Sequence, residues 1–248
     1  MTSPVASRPL AARPESACAR GVRLVGLLVF GLTLFLPIYG CSGGPAARDP
    51  AARQTTQRAR DPGQTPIERI VKTLGRGERG DGVVAALWRC RLWYPYLLIP
   101  LWLVVLGLSS IGPRTRRLAG GVLLASSIGV AALELAYIDH DWGGLLPPAL
   151  RRIEVAVAWG VVVVVLFVRR GGRGWLEPEA GVSAQALLSF LHGVMYLAGD
   201  AITYVRGGHG AGVIVETLLD DYRIGYWIAL AGLLAITGPG MRSPAPVT

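Results

Sequence analysis

Five long apolar blocks constrain the fold of this chain more than any other feature of its sequence. They cover 21–40, 92–111, 118–138, 153–168 and 224–238, and each is close to the length that crosses roughly 30 Å of hydrocarbon. One such block is compatible with a buried core helix, but five exceed what a water-facing surface tolerates, and 52% of all residues are hydrophobic. With a more polar block at 182–205, the sequence predicts an all-α polytopic membrane bundle of about six transmembrane helices.

The first apolar block follows a cationic lead. Residues 1–20 are polar and rich in arginine, proline and alanine, which predicts a disordered cytoplasmic segment. Residues 21–40 are interpreted as a first transmembrane helix or signal anchor, with a cleaved export signal as the alternative. Cys41 ends a stretch close to a lipoprotein processing site, although Tyr39 fits that pattern poorly. Cys41 is therefore a lipidation candidate, and an uncleaved first span is favoured.

A polar extracytoplasmic loop is expected at 41–91. Its first part, 42–64, has a composition that cannot bury enough apolar area to offset the entropy of ordering, so we predict a disordered linker. A short amphipathic helix is predicted at 66–74, because Thr65 and Glu68 form a capping-box pattern around a proline at the first helical position. Its apolar face is expected either in the lipid headgroup layer or against the protein's own loops.

The membrane bundle is expected within 92–248, with both termini in the cytoplasm. Arginine clusters at 114–117 and 169–173 follow the second and fourth spans, and the excess of arginine and lysine in short loops marks the cytoplasmic side. The basic loop at 41–91 opposes this orientation, which therefore depends on the short loops. An arginine bias among the 25 basic residues suggests GC-rich bacterial coding and a bacterial cytoplasmic membrane. The transmembrane helices are expected at about 92–111, 118–138, 150–168, 182–205 and 223–241.

The block at 182–205 carries a periodic set of polar side chains. Their steps of three and four residues follow the helical period, so we predict that they form one stripe along a single helix. A helix that faced lipid would not keep such a stripe. We favour a spanning helix with its stripe turned into the bundle over a helix that lies flat at the interface. The six polar residues are Gln185, Ser189, His192, Tyr196, Asp200 and Thr203.

Ionisable side chains within predicted spans are the best pointers to function, because an ionised group in hydrocarbon is costly unless it faces partners or water. Glu134, Glu154, His192 and Asp200 are such groups, and they are the candidate catalytic residues. Together with Tyr196 they are also the candidate ligand-binding residues. On the predicted topology the three carboxylates share a depth near the outer face. They are expected to line an outward-open polar pocket with Asp139, His140, Asp141, Asp220, Asp221 and Arg223.

Three hypotheses compete for that pocket. In the structural one, which we favour, Glu134 and Glu154 hold helices together through hydrogen bonds or ion pairs with nearby arginines. In the binding or transport one, the carboxylates and His192 hold protons or a cation, since His192 has an unperturbed pKa near neutrality. In the enzymatic one, a metal or an acid–base pair hydrolyses a substrate at the membrane surface. The candidate arginines are Arg151, Arg152, Arg206 and Arg223.

The enzymatic hypothesis has two weaknesses. His192 and Asp200 are two turns apart, about 12 Å along a helix, which is too far for one metal ion without a bend. Asp139, His140 and Asp141 are weak metal candidates, because neighbouring side chains in a turn point apart. A solvated polar cap is the more common explanation of such a trio.

Missing motifs narrow the function further. The sequence lacks a Walker-type phosphate loop, a nucleophile elbow, a zinc-protease helix motif and a clear inverted repeat. Its three cysteines lack metal-ligand spacing, and the net charge of +9 is concentrated at the ends of apolar blocks and in one loop, which does not suggest nucleic acid. We therefore expect no cofactor, and the lipid bilayer and other membrane proteins as partners. The expected function is a non-catalytic membrane component that acts by interaction or by binding a small ligand, with a membrane-embedded hydrolase or proton-coupled carrier as the alternative.

Overall fold

The computed structural model describes residues 17–38, 65–75, 94–137, 156–160, 162–163 and 177–240, without the side chains of 73, 131–137 and 239–240. The predictions for the cytoplasmic lead at 1–16, the linker at 42–64 and the turn at 139–150 lie outside these residues. Every regular element that is described is a helix, which confirms the all-α prediction. The elements are α1 (Ala17–Leu32), a 3-10 turn (Thr33–Phe35), α2 (Pro66–Gly75), α3 (Tyr94–Ser109), α4 (Pro113–Tyr137), α5 (Pro178–Arg206), α6 (Ala211–Asp221) and α7 (Ile224–Gly240).

Two helices in the described part of the chain are long and apolar enough to cross a bilayer. They are Ala17–Phe35, which is α1 with its 3-10 turn, and α5. The apolar helices Tyr94–Ser109 and Ile224–Gly238 are shorter, and a 16-residue helix such as α3 measures about 24 Å at 1.5 Å per residue. The described residues therefore do not confirm the bundle of six spans.

Several helix boundaries differ from the sequence prediction, and one helix was not expected. α1 begins at Ala17, so residues 17–20, expected to be disordered, are helical, and α5 begins at Pro178, before the expected 182. α4 begins at Pro113, before the span expected from 118, because proline at the start of a helix loses no hydrogen bond. The stretch expected as a loop after 205 contains α6, whose 11 residues are too few to cross a bilayer. Gly208 has a φ of 77°, a conformation that glycine adopts without strain, and it allows the chain to turn between α5 and α6. Of the span expected at 150–168, residues 156–160 and 162–163 are described, and they are helical.

α1 and α7 pack against each other through glycines. A Cβ atom on Gly232 would lie 2.9 Å from the backbone nitrogen of Phe30, and one on Gly26 would lie 2.9 Å from the backbone nitrogen of Ile236. Both distances are too short for a real side chain, so the two backbones approach each other where only glycine fits. This is the small-residue packing common in membrane helices.

Hydrogen bonds at the two ends of the bundle establish the helix directions. At one end Arg23 of α1 donates to the Ser183 hydroxyl of α5 at 3.3 Å, and that hydroxyl donates to the Ile236 carbonyl of α7 at 3.2 Å. At the other end the hydroxyls of Thr33 and Tyr96 are 3.1 Å apart, which joins the end of α1 to the start of α3. α1 and α5 therefore run in one direction, and α3 and α7 run in the other.

We call these two regions the arginine end and the tyrosine end. The arginine end contains Arg23, Ser183 and the ion pair between Arg116 of α4 and Glu179 of α5, whose atoms are 3.0 Å apart. This ion pair places the start of α4 beside the start of α5. The tyrosine end holds a set of phenolic side chains where α1 and α5 end and where α3 and α7 begin. They are Tyr94, Tyr96, Tyr204, Tyr222 and Tyr226.

α2 packs against the 3-10 turn at the tyrosine end. Its capping box forms: the backbone N–H of Thr65 donates to the Glu68 carboxylate at 2.9 Å, and the backbone N–H of Glu68 donates to the Thr65 hydroxyl at 3.3 Å. The hydrogen bond from the Thr65 backbone N–H to the carboxylate is the main cause that holds the pKa of Glu68 below its usual range, and the Thr65 side chain adds to this effect. The cap determines where α2 starts, and the Glu68 carboxylate is engaged in a hydrogen bond at the helix terminus.

Candidate functional site

Polar side chains are buried inside this bundle, whereas large apolar side chains cover its outside. Arg23 is 1% exposed and Gln185 is 3% exposed. In contrast, Leu28 of α1, Leu103 of α3 and Ile128 of α4 are each more than half exposed. The interior also holds apolar cores, but exposed apolar side chains on several helices are unusual for a water-soluble domain, where exposed apolar patches are small. The buried polar residues are Arg23, Thr33, Ser183, Gln185, Ser189, Thr217, Asp221 and Thr237.

Gln185 is the centre of a polar network between α3, α4 and α5. Its side-chain oxygen accepts a hydrogen bond from the indole nitrogen of Trp102 at 2.7 Å. Its amide nitrogen lies 2.7 Å from the Ser126 hydroxyl, 2.8 Å from the Ser127 hydroxyl and 3.1 Å from the Leu123 carbonyl. The side-chain oxygen and nitrogen of Gln185 are therefore both satisfied by partners on other helices, and this network holds three helices together.

A reciprocal pair of tyrosine–aspartate hydrogen bonds lies at the tyrosine end. The Tyr222 hydroxyl donates to the Asp200 carboxylate of α5 at 2.6 Å. In the opposite sense, the Tyr204 hydroxyl of α5 donates to the Asp221 carboxylate at 2.9 Å. The two carboxylates are near enough to repel each other. Two hydrogen bonds from neutral tyrosine hydroxyls to carboxylates therefore attach Asp221, at the end of α6, and Tyr222, the next residue, to α5.

Two more aromatic side chains, Tyr226 and Trp227, contact Tyr222, the residue that donates to Asp200. The ring centroids of Tyr222 and Tyr226 are 4.5 Å apart, and the indole nitrogen of Trp227 donates to the Tyr222 carbonyl at 3.1 Å. The Tyr226 hydroxyl donates to the Gly193 carbonyl of α5. Tyr226 therefore lies between the Asp200 region and the next turns of α5 toward the arginine end.

His192 has a separate partner. Its Nδ1 atom lies 3.1 Å from the Tyr94 hydroxyl of α3, and the rings meet edge to face with centroids 6.3 Å apart. The carbonyl of Gly193, the next residue along α5, accepts a hydrogen bond from the Tyr226 hydroxyl. The tyrosine end thus has two polar parts along α5, one around His192 and the other around Asp200.

The stripe predicted on 182–205 does not face one environment along its whole length. Gln185 and Ser189 are buried, His192 and Asp200 are partly buried, and Tyr196 is 44% exposed. His192 and Asp200 contact Tyr94 and Tyr222 respectively, and two helical turns separate them along α5. Of the predicted site residues, His192 and Asp200 therefore contact tyrosines of the tyrosine end, each through a partner of its own.

Several predicted site residues lie outside the described residues or side chains. Glu134 belongs to α4, but its side chain is not described, and Glu154 and Cys41 are also outside. So is the trio Asp139, His140 and Asp141. Within the described ranges, no group of three or more histidine, cysteine, aspartate or glutamate side chains is arranged to hold a metal ion.

The partners of these groups were missed by sequence reasoning. Tyr94, Tyr204, Tyr222 and Tyr226 each make a hydrogen bond to α5 or to the end of α6. The adjacent residues Asp221 and Tyr222 were a usable signal of these hydrogen bonds, because an acidic and a phenolic side chain can each pair with a polar residue of α5. The residues next to Trp102 in the sequence are apolar, and they do not indicate its hydrogen bond to Gln185.

Carboxylates that accept tyrosine hydroxyls and are flanked by aromatic rings can bind a small cation or a hydrogen-bond donor. They can also anchor a partner helix that offers a basic side chain at the same end. Comparisons of this chain with protein-family models, with curated proteins and with solved structures found no match.

Proposed function

We propose that this chain is a multi-pass component of the bacterial cytoplasmic membrane, without catalysis of its own, that binds a small ligand or a neighbouring membrane protein at its tyrosine end. The observation that carries the proposal is the distribution of polarity. Leu28, Leu103 and Ile128 are exposed on three different helices, while Arg23 and Gln185 are buried. Water would penalise this arrangement and hydrocarbon would favour it.

The charges favour one orientation. Arg114, Arg116 and Arg117 lie where α4 starts, at the arginine end, and Arg23 is near the same end of α1. Under the positive-inside rule, this end faces the cytoplasm. The tyrosine end then faces outward, where the amphipathic tyrosine and tryptophan rings suit the boundary between headgroups and water.

Membrane insertion is tested by fractionation and by labelling. We expect the chain to stay in the membrane pellet after alkaline carbonate extraction. In a variant whose native cysteines are replaced by serine, Gly210→Cys should react with an impermeant maleimide in intact cells. Arg114→Cys should react only after permeabilisation, because its side chain is exposed at the opposite end. Recovery of the chain in the soluble fraction, or equal labelling of both sites in intact cells, would contradict the proposal.

Binding at the tyrosine end is tested with probes of opposite charge. We expect tetramethylammonium to raise the thermal midpoint of the detergent-purified protein, and sodium acetate to leave it unchanged, because Asp200 and Asp221 are acidic and lie beside a cluster of tyrosine side chains. Saturation at about 100 times Kd corresponds to about 2.7 kcal/mol of added stability. Asp200→Asn should abolish this rise, whereas Ser189→Ala, farther along α5, should retain it. An equal rise in Asp200→Asn would exclude this site.

A proton-coupled carrier or a membrane hydrolase is the second candidate. The hydrogen bond between His192 and Tyr94 favours it, because a histidine paired with a phenol can accept or pass a proton. In proteoliposomes with a trapped pH dye, a carrier would show proton flux that His192→Gln removes and Ser189→Ala leaves unchanged. An absence of flux in the wild type would favour the binding role.

A further inference from the structure

The apolar face of α2 is exposed in the described part of the protein. Ile67, Val71 and Leu74 recur at helical spacing on this face and are 37%, 62% and 47% exposed. On the adjoining side, Ile70 packs against the hydrophobic core and Pro66 is buried. α2 therefore contacts the bundle through Pro66 and Ile70, whereas Ile67, Val71 and Leu74 are exposed.

The position of α2 matches the boundary of a bilayer. It packs against the 3-10 turn that ends α1, at the tyrosine end. Leu32 and Phe35, at that same end of α1, are 56% and 61% exposed, so the apolar surface of the candidate span continues up to the helix. An apolar face at this depth is level with the junction between acyl chains and headgroups.

The charges on α2 favour an anionic surface. Lys72 is exposed and Arg69 is partly buried on the remaining sides of the helix. Glu68, the acidic residue of α2, is engaged by the cap with Thr65. Arg76 follows directly in the sequence. Cationic side chains around an exposed apolar face are typical of helices that lie on anionic leaflets.

We propose that α2 lies flat in the headgroup layer on the side of the tyrosine end, with Ile67, Val71 and Leu74 among the upper acyl carbons and Arg69 and Lys72 against anionic lipid phosphates. The inference rests on the proposed membrane location of the bundle. In this arrangement α2 holds the tyrosine end at a fixed depth in the bilayer. It also extends the lipid contact beyond the spanning helices to a segment outside the membrane core.

Spin-label accessibility tests this inference on the full chain. Nitroxides are placed at Val71→Cys, Lys72→Cys and Leu103→Cys in a background whose native cysteines are serine, in nanodiscs of phosphatidylcholine with phosphatidylglycerol. We expect the ratio of collisions with oxygen to collisions with a water-soluble nickel chelate to be several-fold higher at 71 than at 72. The label at 103, on the exposed apolar side of α3, is the control for burial in the bilayer.

Each outcome distinguishes one part of the inference. A label at 71 that is as accessible to nickel as the label at 72 would overturn it, and so would a label at 71 shielded from both reagents by protein. If the label at 103 is also accessible to nickel, the membrane location itself fails. In pure phosphatidylcholine we expect the contrast between 71 and 72 to shrink several-fold. In anionic nanodiscs the double variant Arg69→Gln/Lys72→Gln, labelled at 71 alone, should have a lower oxygen-to-nickel ratio at 71 than the chain that keeps both cations. Equal contrast in both lipids would rule out recognition of anionic headgroups.

Discussion

Replacing Gly232 with alanine is expected to lower the free energy of unfolding by about 2 kcal/mol, in the range observed for overpacked cores. The added methyl group would lie 2.9–3.1 Å from the backbone nitrogen, Cα and Cβ of Phe30 on α1. Two of these atoms belong to the helix backbone, so no side-chain rotation relieves the contact and α1 must move away from α7. Phe30 is itself 1% exposed and stacks on Tyr96 at 4.7 Å, so this movement would also disturb the start of α3.

The measurement is unfolding in mixed micelles of mild detergent and dodecyl sulfate, followed by circular dichroism. Gly129→Ala is the matched control, because Gly129 is exposed in the middle of α4 and an added methyl group would meet no neighbouring helix or side chain within 4 Å. Alanine has a higher helix propensity than glycine, so this variant should be neutral or more stable by up to about 1 kcal/mol. Equal changes in the two variants would show that close packing of α1 on α7 does not limit stability.

Much of the fold was predictable because transfer energies act on each apolar block independently. α1, α3, α4 and α7 overlap apolar blocks, since a helix satisfies its backbone groups within itself wherever the side chains are apolar. α6 was missed for the opposite reason. Glycines at 207–212 and the acidic pair Asp220 and Asp221 suggest a loop, but contacts with α5 stabilise a short helix between them.

The candidate site was less predictable, because it depends on pairs of residues that are distant in sequence. The periodic stripe on α5 identified Gln185, His192 and Asp200 as inward or partly inward positions, which local spacing can do. Their partners lie on other helices, 83 residues away for Trp102 and 98 for Tyr94. A single sequence provides no register between helices, and these pairings depend on that register.

Replacing Gln185 with leucine is expected to lower the free energy of unfolding by about 2 kcal/mol. A typical hydrogen bond between membrane helices contributes only about 0.6 kcal/mol, so loss of one contact alone would be barely measurable. The larger cost comes from Trp102, whose buried indole N–H would lose its acceptor, because an orphaned donor costs about 1–3 kcal/mol. The Leu123 carbonyl keeps the hydroxyls of Ser126 and Ser127 as donors and adds little to the cost.

This account is tested by a double-mutant cycle with Trp102→Phe. Removing both the donor and its acceptor leaves no orphaned group, so Gln185→Leu should cost about 1 kcal/mol less in the Trp102→Phe background than in the wild type. Ser189→Ala is the control on the same helix, since its hydroxyl donates to the Gln185 carbonyl of its own helix, and it should change stability by less than about 0.5 kcal/mol. If the two substitutions are additive, the stabilising role of Gln185 lies in filling space between α3, α4 and α5, and the hydrogen bond to Trp102 contributes nothing measurable.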